Sequence, residues 1–218
     1  MIRLAVFDLD GTLVDSRRDL ANAANALVAA RGGRPLPEEA IAGMVGEGAA
    51  VLVRRVLAAS GLDVESPGAL PQFLDLYDQR LLQHTVPYDG IVEMLEALSR
   101  RLRLAVLTNK PQAHTERLLD ALDLSRYFRD VIGGDTPFGR KPAPSGLEEL
   151  ARRANGLLAE TTMVGDSPID LQTARAAGCA CILVSYGFGY QAAHLTCTER
   201  AVDAAALIPK AIADLAGA

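Results

Sequence analysis

The sequence predicts an α/β protein with a doubly wound parallel sheet and one all-helical insertion. From residue 87 onward, short apolar runs typical of buried strands alternate with helical patterns, as in sheets whose strands are joined by helical crossovers. A separate apolar run at residues 2–7 predicts the first strand. Only helical periodicity occurs between that strand and residue 87. We therefore expect a core of residues 1–14 and 87–218, interrupted by a helical cap domain at residues 15–86.

Composition limits the class of protein. The chain has 218 residues, half of them hydrophobic, and a net charge of −5, which is enough for one core domain with an insertion. It has no basic stripe with interleaved aromatic residues, so we expect no nucleic-acid partner. Cys179, Cys181 and Cys197 lack the spacing of a zinc site and are expected to be free thiols in a reducing compartment. Without a leader pattern or a membrane-length apolar run, the prediction is a cytoplasmic protein with no membrane partner.

The first strand ends in the most informative motif, Asp8-Leu9-Asp10-Gly11-Thr12. Residues two apart on a strand point the same way, so Asp8 and Asp10 should face one volume at the carboxyl end of the sheet, where α/β proteins place ligands. Adjacent carboxylates repel unless a cation separates them or one keeps its proton. The pattern favours one aspartate as nucleophile or metal ligand and the other as a proton carrier.

The insertion is predicted to hold four helices. Residues 16–19 resemble a capping box at the start of the first helix, and Gly32-Gly33 should end it. A short helix at residues 38–44, one around residues 51–57 that ends at Gly61, and one around residues 73–82 follow.

The remainder of the core is predicted as alternating helices and strands. The expected strands cover residues 102–107, 130–132, 162–164 and 180–184, and the expected helices cover residues 90–101, 113–122, 145–154, 169–177 and 201–216.

Two segments at strand ends are suited to binding phosphate. Thr108 and Asn109 follow the second core strand and precede Pro111, which is positioned to start a helix; a hydroxyl, an amide and a helix N-terminus would suit a phosphoryl oxygen. Each of these residues is also a common helix cap. Lys141 lies in the loop after the third strand, where an ammonium group beside carboxylates would lower the pKa of a nucleophile and neutralise phosphoryl charge.

A second acidic motif, Gly165-Asp166-Ser167-Pro168-Ile169-Asp170, follows the fourth core strand. Its two aspartates can both point toward the sheet edge. With Asp8 they would form an oxygen-rich cluster, which suits Mg²⁺ better than zinc.

Together, Asp8-x-Asp10-Gly11-Thr12, Thr108-Asn109, Lys141-Pro142 and Gly165-Asp166-x-x-x-Asp170 resemble the four motifs of the haloacid dehalogenase superfamily. The insertion resembles that family's type 1 helical cap, on a Rossmann-like core. Two looser similarities, at residues 45–48 and 88–90, are to the phosphoglycolate phosphatase subgroup.

This resemblance implies a role for each motif residue. Asp8 would attack phosphorus and also bind Mg²⁺, while Asp10 would bind Mg²⁺ through its carbonyl and act as acid and base with its carboxyl group. Asp166 would complete the metal ligands and Asp170 would support them or the lysine. Thr108, the Asn109 backbone, Lys141, Gly11 and Thr12 would hold the phosphoryl group.

The predicted function is that of a Mg²⁺-dependent phosphatase acting on a small phosphate monoester through an aspartyl-phosphate. The specific substrate prediction is 2-phosphoglycolate. A phosphosugar phosphatase and a β-phosphoglucomutase-like phosphotransferase are alternatives on the same core. The second aspartate, Asp10, argues against a dehalogenase, which forms an alkyl ester and lacks this acid. Glu47 and Arg54 are candidates for selecting the substrate from the cap. His84 and His114 are assigned no chemistry.

A receiver-like signalling module also combines aspartates, Thr, Lys and Mg²⁺. Receivers phosphorylate an aspartate later in the chain and carry no helical cap, so this alternative fits less well. A catalytically silent scaffold fits least, since every core motif is intact. The sequence leaves the oligomeric state and the preference among Mg²⁺, Mn²⁺ and Co²⁺ open.

Overall fold

The structure, a computed structural model, describes residues 1–216. Its strands are β1 (Leu4–Phe7), β2 (Val14–Asp15), β3 (Val86–Pro87), β4 (Arg103–Leu107), β5 (Asp130–Ile132), β6 (Thr161–Gly165), β7 (Ala180–Val184) and β8 (Glu199–Val202). Six of them form one sheet in the order β5-β4-β1-β6-β7-β8, and every neighbouring pair is parallel. The order reverses direction at β1, which confirms the predicted doubly wound sheet.

The α-helices lie between these strands or after the last of them. They are α1 (Arg17–Ala30), α2 (Glu38–Ala42), α3 (Ala49–Ala59), α4 (Ala69–Asp78), α5 (Ile91–Ser99), α6 (Gln112–Ala121), α7 (Ser145–Arg153), α8 (Pro168–Ala177) and α9 (Ile208–Ala216).

Helices cover both faces of the sheet. On β1, Ala5 and Phe7 pack in one hydrophobic cluster, whereas Leu4 and Val6 pack in the other. The first cluster includes buried side chains of α5 and α9, and the second includes those of α7 and α8. Because β1 is buried on both faces, its four residues are all apolar, as expected for a central parallel strand.

The register of β1 brings three strand ends together. Phe7, the last residue of β1, is paired with Val106 of β4 on one side and with Val164 of β6 on the other. The residues that follow these strands therefore lie side by side at one edge of the sheet. This edge is where the predicted site residues were expected.

The chain leaves and re-enters the core at one place. Strands β2 and β3 pair antiparallel, with Val14 opposite Pro87 and Asp15 opposite Val86. Helices α1 to α4 lie between them, and α1 packs against each of the other three. We call residues 16–85 the helical insertion. Its status as a separate cap domain stays a prediction.

The predicted capping box at the start of α1 is wrong. The Ser16 hydroxyl donates to Asp10 Oδ1 at 2.6 Å instead of accepting from the helix. The Asp19 carboxylate accepts the backbone N–H groups of His84 (3.0 Å) and Thr85 (2.9 Å). Both side chains of the local pattern are thus used in tertiary contacts at the junction of insertion and core.

The end of the core also differs from the prediction. The chain forms β8 at Glu199–Val202, and α9 begins only at Ile208 instead of residue 201. A four-residue strand at the edge of a sheet carries too few residues to show a period, and the Ala-rich run after it is typical of a helix. Glu199 is buried and bonded to Arg175 Nε at 2.7 Å, a contact that the local sequence does not reveal.

None of the helices in residues 1–216 combines the length and apolar character needed to cross a bilayer.

Candidate active site

Asp8 lies directly after β1 at the centre of the sheet edge. Its backbone N–H donates to the Val164 carbonyl at 2.9 Å, which continues the pairing of β1 with β6 and fixes the residue. The carboxylate is buried, and its Oδ1 lies 2.8 Å from Lys141 Nζ. Burial raises the pKa of Asp8 to about 6, although Lys141 acts to lower it.

Asp166 and Asp170 join Asp8 in a buried acidic cluster. Each of the three offers a carboxylate oxygen, and these oxygens lie within 4.8 Å of one another. Burial, followed by the charges of Asp170 and Asp8, raises the pKa of Asp166 well above its usual range. Lys141 contacts two of the three carboxylates, those of Asp8 and Asp170, so the cluster carries an excess of negative charge when all three are ionised. The oxygen donors and this excess fit a hard divalent cation such as Mg²⁺.

Asp170 already has partners for both of its oxygens. Oδ1 accepts from Lys141 Nζ at 2.6 Å, and Oδ2 accepts the backbone N–H of Ser167 at 3.0 Å in a capping box at the start of α8. This leaves Asp8 and Asp166 as the carboxylates better placed to bind a cation. The predicted supporting role of Asp170 agrees with these contacts and stays a prediction.

Lys141 is enclosed by the cluster, with its side chain 2% exposed. Burial alone would lower the pKa of this lysine, but Asp170 and Asp8 together raise it above its usual value. Lys141 therefore stays charged at the pH of any cell compartment. An ammonium group in this place can neutralise a phosphoryl oxygen next to Asp8.

Asn109 holds the Lys141 loop through its side chain. Its Oδ1 accepts the Lys141 backbone N–H at 2.8 Å, and its Nδ2 donates to the Lys141 carbonyl at 2.9 Å. The same Nδ2 also donates to the Gly46 carbonyl of the helical insertion at 2.8 Å. The side chain is thus structural, and only the Asn109 backbone remains for the predicted phosphate contact. Thr108 is buried beside it.

Asp10 lies at the same sheet edge but outside the acidic cluster. Its carboxylate bonds to Lys110 Nζ, at 2.9 Å for Oδ1 and 3.0 Å for Oδ2, and accepts from the Ser16 hydroxyl. Separate cations therefore hold the two aspartates of the first motif, Lys141 for Asp8 and Lys110 for Asp10. The sequence motifs assign no role to Lys110. A signal was available, because only three of the 22 basic residues are lysines.

Gly11 and Thr12 pack against Asp166. Gly11 has φ of +84°, and a Cβ there would overlap the Asp166 carboxylate, so the position requires glycine. Thr12 Oγ1 lies 3.5 Å from Asp166 Oδ1. These contacts position Asp166, and the predicted contact of Gly11 and Thr12 with a phosphoryl group stays a prediction.

The loop after β7 completes the surroundings of Asp166 and was missed by the sequence analysis. The Gly189 N–H donates to Asp166 Oδ2 at 2.7 Å, and Tyr186 Oη donates to the Thr12 carbonyl at 3.0 Å. Strand β7 neighbours β6, so its end reaches the same sheet edge as the motif residues. Two glycines closely following a predicted strand, Gly187 and Gly189, were the available signal.

Replacing Gly187 by alanine should disturb this loop. The added Cβ would overlap both Asp166 Cβ and the Gly11 carbonyl oxygen, and the backbone oxygen can yield little. We expect a loss of about 1–3 kcal/mol in the free energy of unfolding, which is typical of overpacking, together with weaker cation binding. Chemical denaturation measures the first and thermal shift with Mg²⁺ the second. Gly156→Ala is the matched control, because its nearest neighbour would lie 3.8 Å away; equal behaviour of the two variants would contradict the packing argument.

A cavity of about 50 Å³ lies between the sheet edge and the helical insertion. Asp8, Asp10, Lys110 and Asp166 line it from the core, and Leu20, Leu52, Phe73 and Tyr77 line it from the insertion. A volume of this size holds only a few water-sized groups. The cavity therefore has a charged floor, formed by the sheet edge, under a mostly apolar roof.

Glu47 and Arg54 do not line this cavity. The Glu47 carboxylate pairs with the guanidinium of Arg55, the residue next to the predicted one, and Arg54 is exposed to solvent. Arg55 also donates to the Met44 carbonyl at 3.1 Å, so the pair fastens a loop of the insertion. In this conformation the structure does not bring either predicted selector to the site.

The two histidines considered above lie apart from the acidic cluster. The backbone N–H of His84 donates to Asp19 at the junction with the insertion. The ring of His114 packs against that of Tyr77, with centroids 5.5 Å apart. Burial lowers the pKa of His114, so it is neutral at pH 7.

The fold and the cluster at its sheet edge define a known class of enzyme. The chain belongs to the haloacid dehalogenase-like hydrolase family, whose model matches residues 5–184. It is therefore a hydrolase, and the family resemblance of its motifs is confirmed.

Individual relatives and a solved structure are similar to the chain over most of its length. The chain is 42% identical over 194 residues to a phosphoglycolate phosphatase of Pseudomonas fluorescens strain Pf-5, covering 86% of this chain and 71% of the relative. It is 41% identical over 196 residues to a phosphoglycolate phosphatase of Rhodospirillum rubrum, covering 86% and 81%. A crystal structure described as a predicted phosphoglycolate phosphatase from Haemophilus somnus 129pt superposes with a TM-score of 0.88 at 30% identity, covering 96% and 97% of the two chains.

Proposed function

We propose that this enzyme is a Mg²⁺-dependent phosphatase that hydrolyses a small phosphate monoester, with 2-phosphoglycolate as its substrate. The observation that carries the proposal is the buried cluster of Asp8, Asp166 and Asp170 with one ammonium group at the sheet edge. Names of relatives at 41–42% identity support the substrate.

Asp8 is the proposed nucleophile. It attacks phosphorus, the bond from phosphorus to the ester oxygen breaks, and an aspartyl-phosphate forms on Asp8. Water then attacks the same phosphorus, which releases inorganic phosphate and restores the carboxylate. The buried site and the neighbouring lysine suit this chemistry, because phosphoryl transfer depends mainly on positioning and charge neutralisation.

The phosphoryl oxygens need cationic and N–H partners. Lys141 Nζ lies 2.8 Å from the Asp8 carboxylate and would contact the transferred group. Thr108 and the Asn109 backbone would supply further hydrogen bonds. A bound Mg²⁺, held by Asp8, Asp166 and the Asp10 carbonyl, would supply electrostatic stabilisation of the phosphoryl charge.

Asp10 is the proposed acid and base. Its carboxyl group lines the cavity outside the acidic cluster, as expected for a group that serves the leaving oxygen instead of phosphorus. It would donate a proton to that oxygen in the first step and take one from the attacking water in the second. The helical insertion would act as the cap that excludes water from the aspartyl-phosphate.

The lining of the cavity favours a leaving group with few hydroxyl groups. Apolar side chains of the insertion form the roof and offer few hydrogen bonds to sugar hydroxyl groups.

Release of inorganic phosphate from a panel of monoesters tests the function. We expect kcat/KM for 2-phosphoglycolate to exceed that for hexose phosphates by about 10²-fold or more, a discrimination of about 3 kcal/mol. Preference for a phosphosugar would assign the enzyme to the first alternative. Isomerisation of a hexose phosphate without net phosphate release would assign it to the phosphotransferase alternative.

A further inference from the structure

A buried lysine joins the predicted acid to the helical insertion. Lys110 Nζ donates to both carboxylate oxygens of Asp10, at 2.9 and 3.0 Å, and to the phenol oxygen of Tyr77 at 2.7 Å. Asp10 and Lys110 belong to the core, at the ends of β1 and β4, whereas Tyr77 belongs to α4 of the insertion. One ammonium group therefore bridges the two parts of the molecule at the site.

No step of the proposed phosphatase mechanism uses Lys110. Lys141 contacts Asp8 and Asp170, and Lys110 contacts Asp10 but neither of those carboxylates. The Lys110 side chain is only 4% exposed, and burying an ammonium group is costly unless it is well paired. Of the three lysines in the chain, two are buried at this site, while Lys210 is exposed on α9. Such a placement indicates a function for Lys110.

The ring of Tyr77 packs against two other rings. It stacks on Phe73 with centroids 6.0 Å apart and packs on His114 of α6 at 5.5 Å. Lys110 Nζ lies 4.6 Å from the centre of the same ring, so both the ring and the phenol oxygen face the ammonium group. The contact depends on α4 lying against the sheet edge, because Tyr77 reaches Lys110 from that helix.

We propose that Lys110 is a positioning residue, which with Tyr77 holds the Asp10 carboxyl group at the leaving-group side of the cavity when the helical insertion is closed. This role rests on the proposed phosphatase function. Lys110 acts through Asp10 and does not touch the phosphoryl group. The helical insertion thus completes the surroundings of Asp10 by placing Tyr77 against Lys110.

The proposal makes loss of Lys110 depend on the leaving group. An alkoxide needs a proton from Asp10 as the ester bond breaks, whereas p-nitrophenolate leaves without one. A displaced Asp10 carboxyl group should therefore slow alkyl esters and spare the aryl ester in the first step. A general loss of folding would reduce both alike.

Steady-state kinetics of Lys110→Met with 2-phosphoglycolate, ethyl phosphate and p-nitrophenyl phosphate test this. We expect kcat/KM for both alkyl esters to fall about 10²-fold and kcat/KM for p-nitrophenyl phosphate to fall less than about 5-fold. This ratio reports the steps up to release of the alcohol, so it excludes the hydrolysis of the aspartyl-phosphate, in which Asp10 serves all three esters alike. Tyr77→Phe removes only the phenol oxygen and should give the same pattern with a smaller loss. It also preserves the test if Lys110→Met fails to fold. Lys210→Met is the matched control and should equal the wild type.

Three results would overturn the role. Equal losses in kcat/KM on alkyl and aryl esters would make Lys110 merely structural. A loss in kcat/KM for 2-phosphoglycolate with none for ethyl phosphate would make it a receptor for the substrate carboxylate. If the wild type hydrolysed none of the three esters, the proposed function would fail first and take this role with it, an outcome distinct from parallel losses in a variant of an active enzyme.

Discussion

Replacing Asp8 by asparagine is expected to lower kcat by about 10⁴-fold or more, as for other enzymes that lose a covalent nucleophile. The amide has the size of the carboxylate but cannot attack phosphorus. The fold should persist, because the Asp8 N–H still donates to the Val164 carbonyl and Lys141 keeps its contact with Asp170. Phosphate release under saturating 2-phosphoglycolate measures the loss, with circular dichroism as the check on folding.

A second measurement separates the nucleophile from a general electrostatic role. Rapid acid quench of the wild type during turnover should trap phosphate on the protein, and the asparagine variant should trap none. Asp203→Asn is a suitable control, since Asp203 is an exposed aspartate after the outermost strand β8 and belongs neither to the acidic cluster nor to the lining of the cavity. An Asp8→Asn enzyme that retained more than about 1% of the wild-type kcat would remove Asp8 as nucleophile.

Much of this site could be predicted because its residues lie directly after the ends of strands. In a parallel sheet, the residue after each strand is placed by the strand register, which is set by apolar runs visible in the sequence. Asp8, Thr108 and Asp166 each follow such a run, and pairing of Phe7 with Val106 and Val164 makes them neighbours. Their proximity required no knowledge of side-chain contacts.

Contacts made by side chains across long separations could not be predicted in the same way. Lys110 lies 100 positions after Asp10 and 33 after Tyr77, and no local pattern links the three. The predicted capping box failed for a related reason. Ser16 donates to Asp10, six positions earlier, and Asp19 accepts from Thr85, 66 positions later, so neither side chain caps α1.

The selector residues of the insertion illustrate a further limit. Glu47 was predicted from its glycine-rich loop, but its charge is satisfied by Arg55 on the next helix. Arg54 and Arg55 are consecutive residues of α3. The helical pattern alone does not show which of them reaches the loop that carries Glu47. The sequence therefore identifies the site residues of the core better than the residues of the helical insertion that would select the substrate.

Asp166→Asn is expected to stabilise the metal-free protein while abolishing its response to Mg²⁺. The carboxylate is buried beside two other aspartates, and its raised pKa means that ionisation costs free energy in the folded state. Asparagine has no charge to bury and can still accept the Gly189 N–H through its amide oxygen. In EDTA at pH 8 we expect Tm to rise by about 2–4 °C, equivalent to about 1 kcal/mol.

The sign of this effect depends on pH. Burial raises the pKa of Asp166 in the folded protein well above its ordinary value of 3.8. Below pH 3.8 the aspartate is protonated in both folded and unfolded chains, so the wild type and the variant should differ little. As pH rises above this value, the unfolded chain ionises freely while the folded chain resists, and the wild type loses stability relative to the variant. The gain in Tm should therefore grow between pH 4 and pH 8.

Mg²⁺ should reverse the order of stability. At a concentration 100 times its dissociation constant, a ligand that binds only the folded state adds about 2.7 kcal/mol, more than the wild type loses to its buried charge. The variant lacks a ligand and should gain much less, so the wild type becomes the more stable protein as Mg²⁺ is added and hydrolyses its substrate, while the variant stays inactive. Thermal unfolding of both proteins in EDTA and across a Mg²⁺ titration measures this crossing, with Asp203→Asn following the wild type throughout. Parallel curves for Asp166→Asn and the wild type would show that Asp166 does not bind the cation, and the excess charge of the cluster would then have to be relieved by a shared proton.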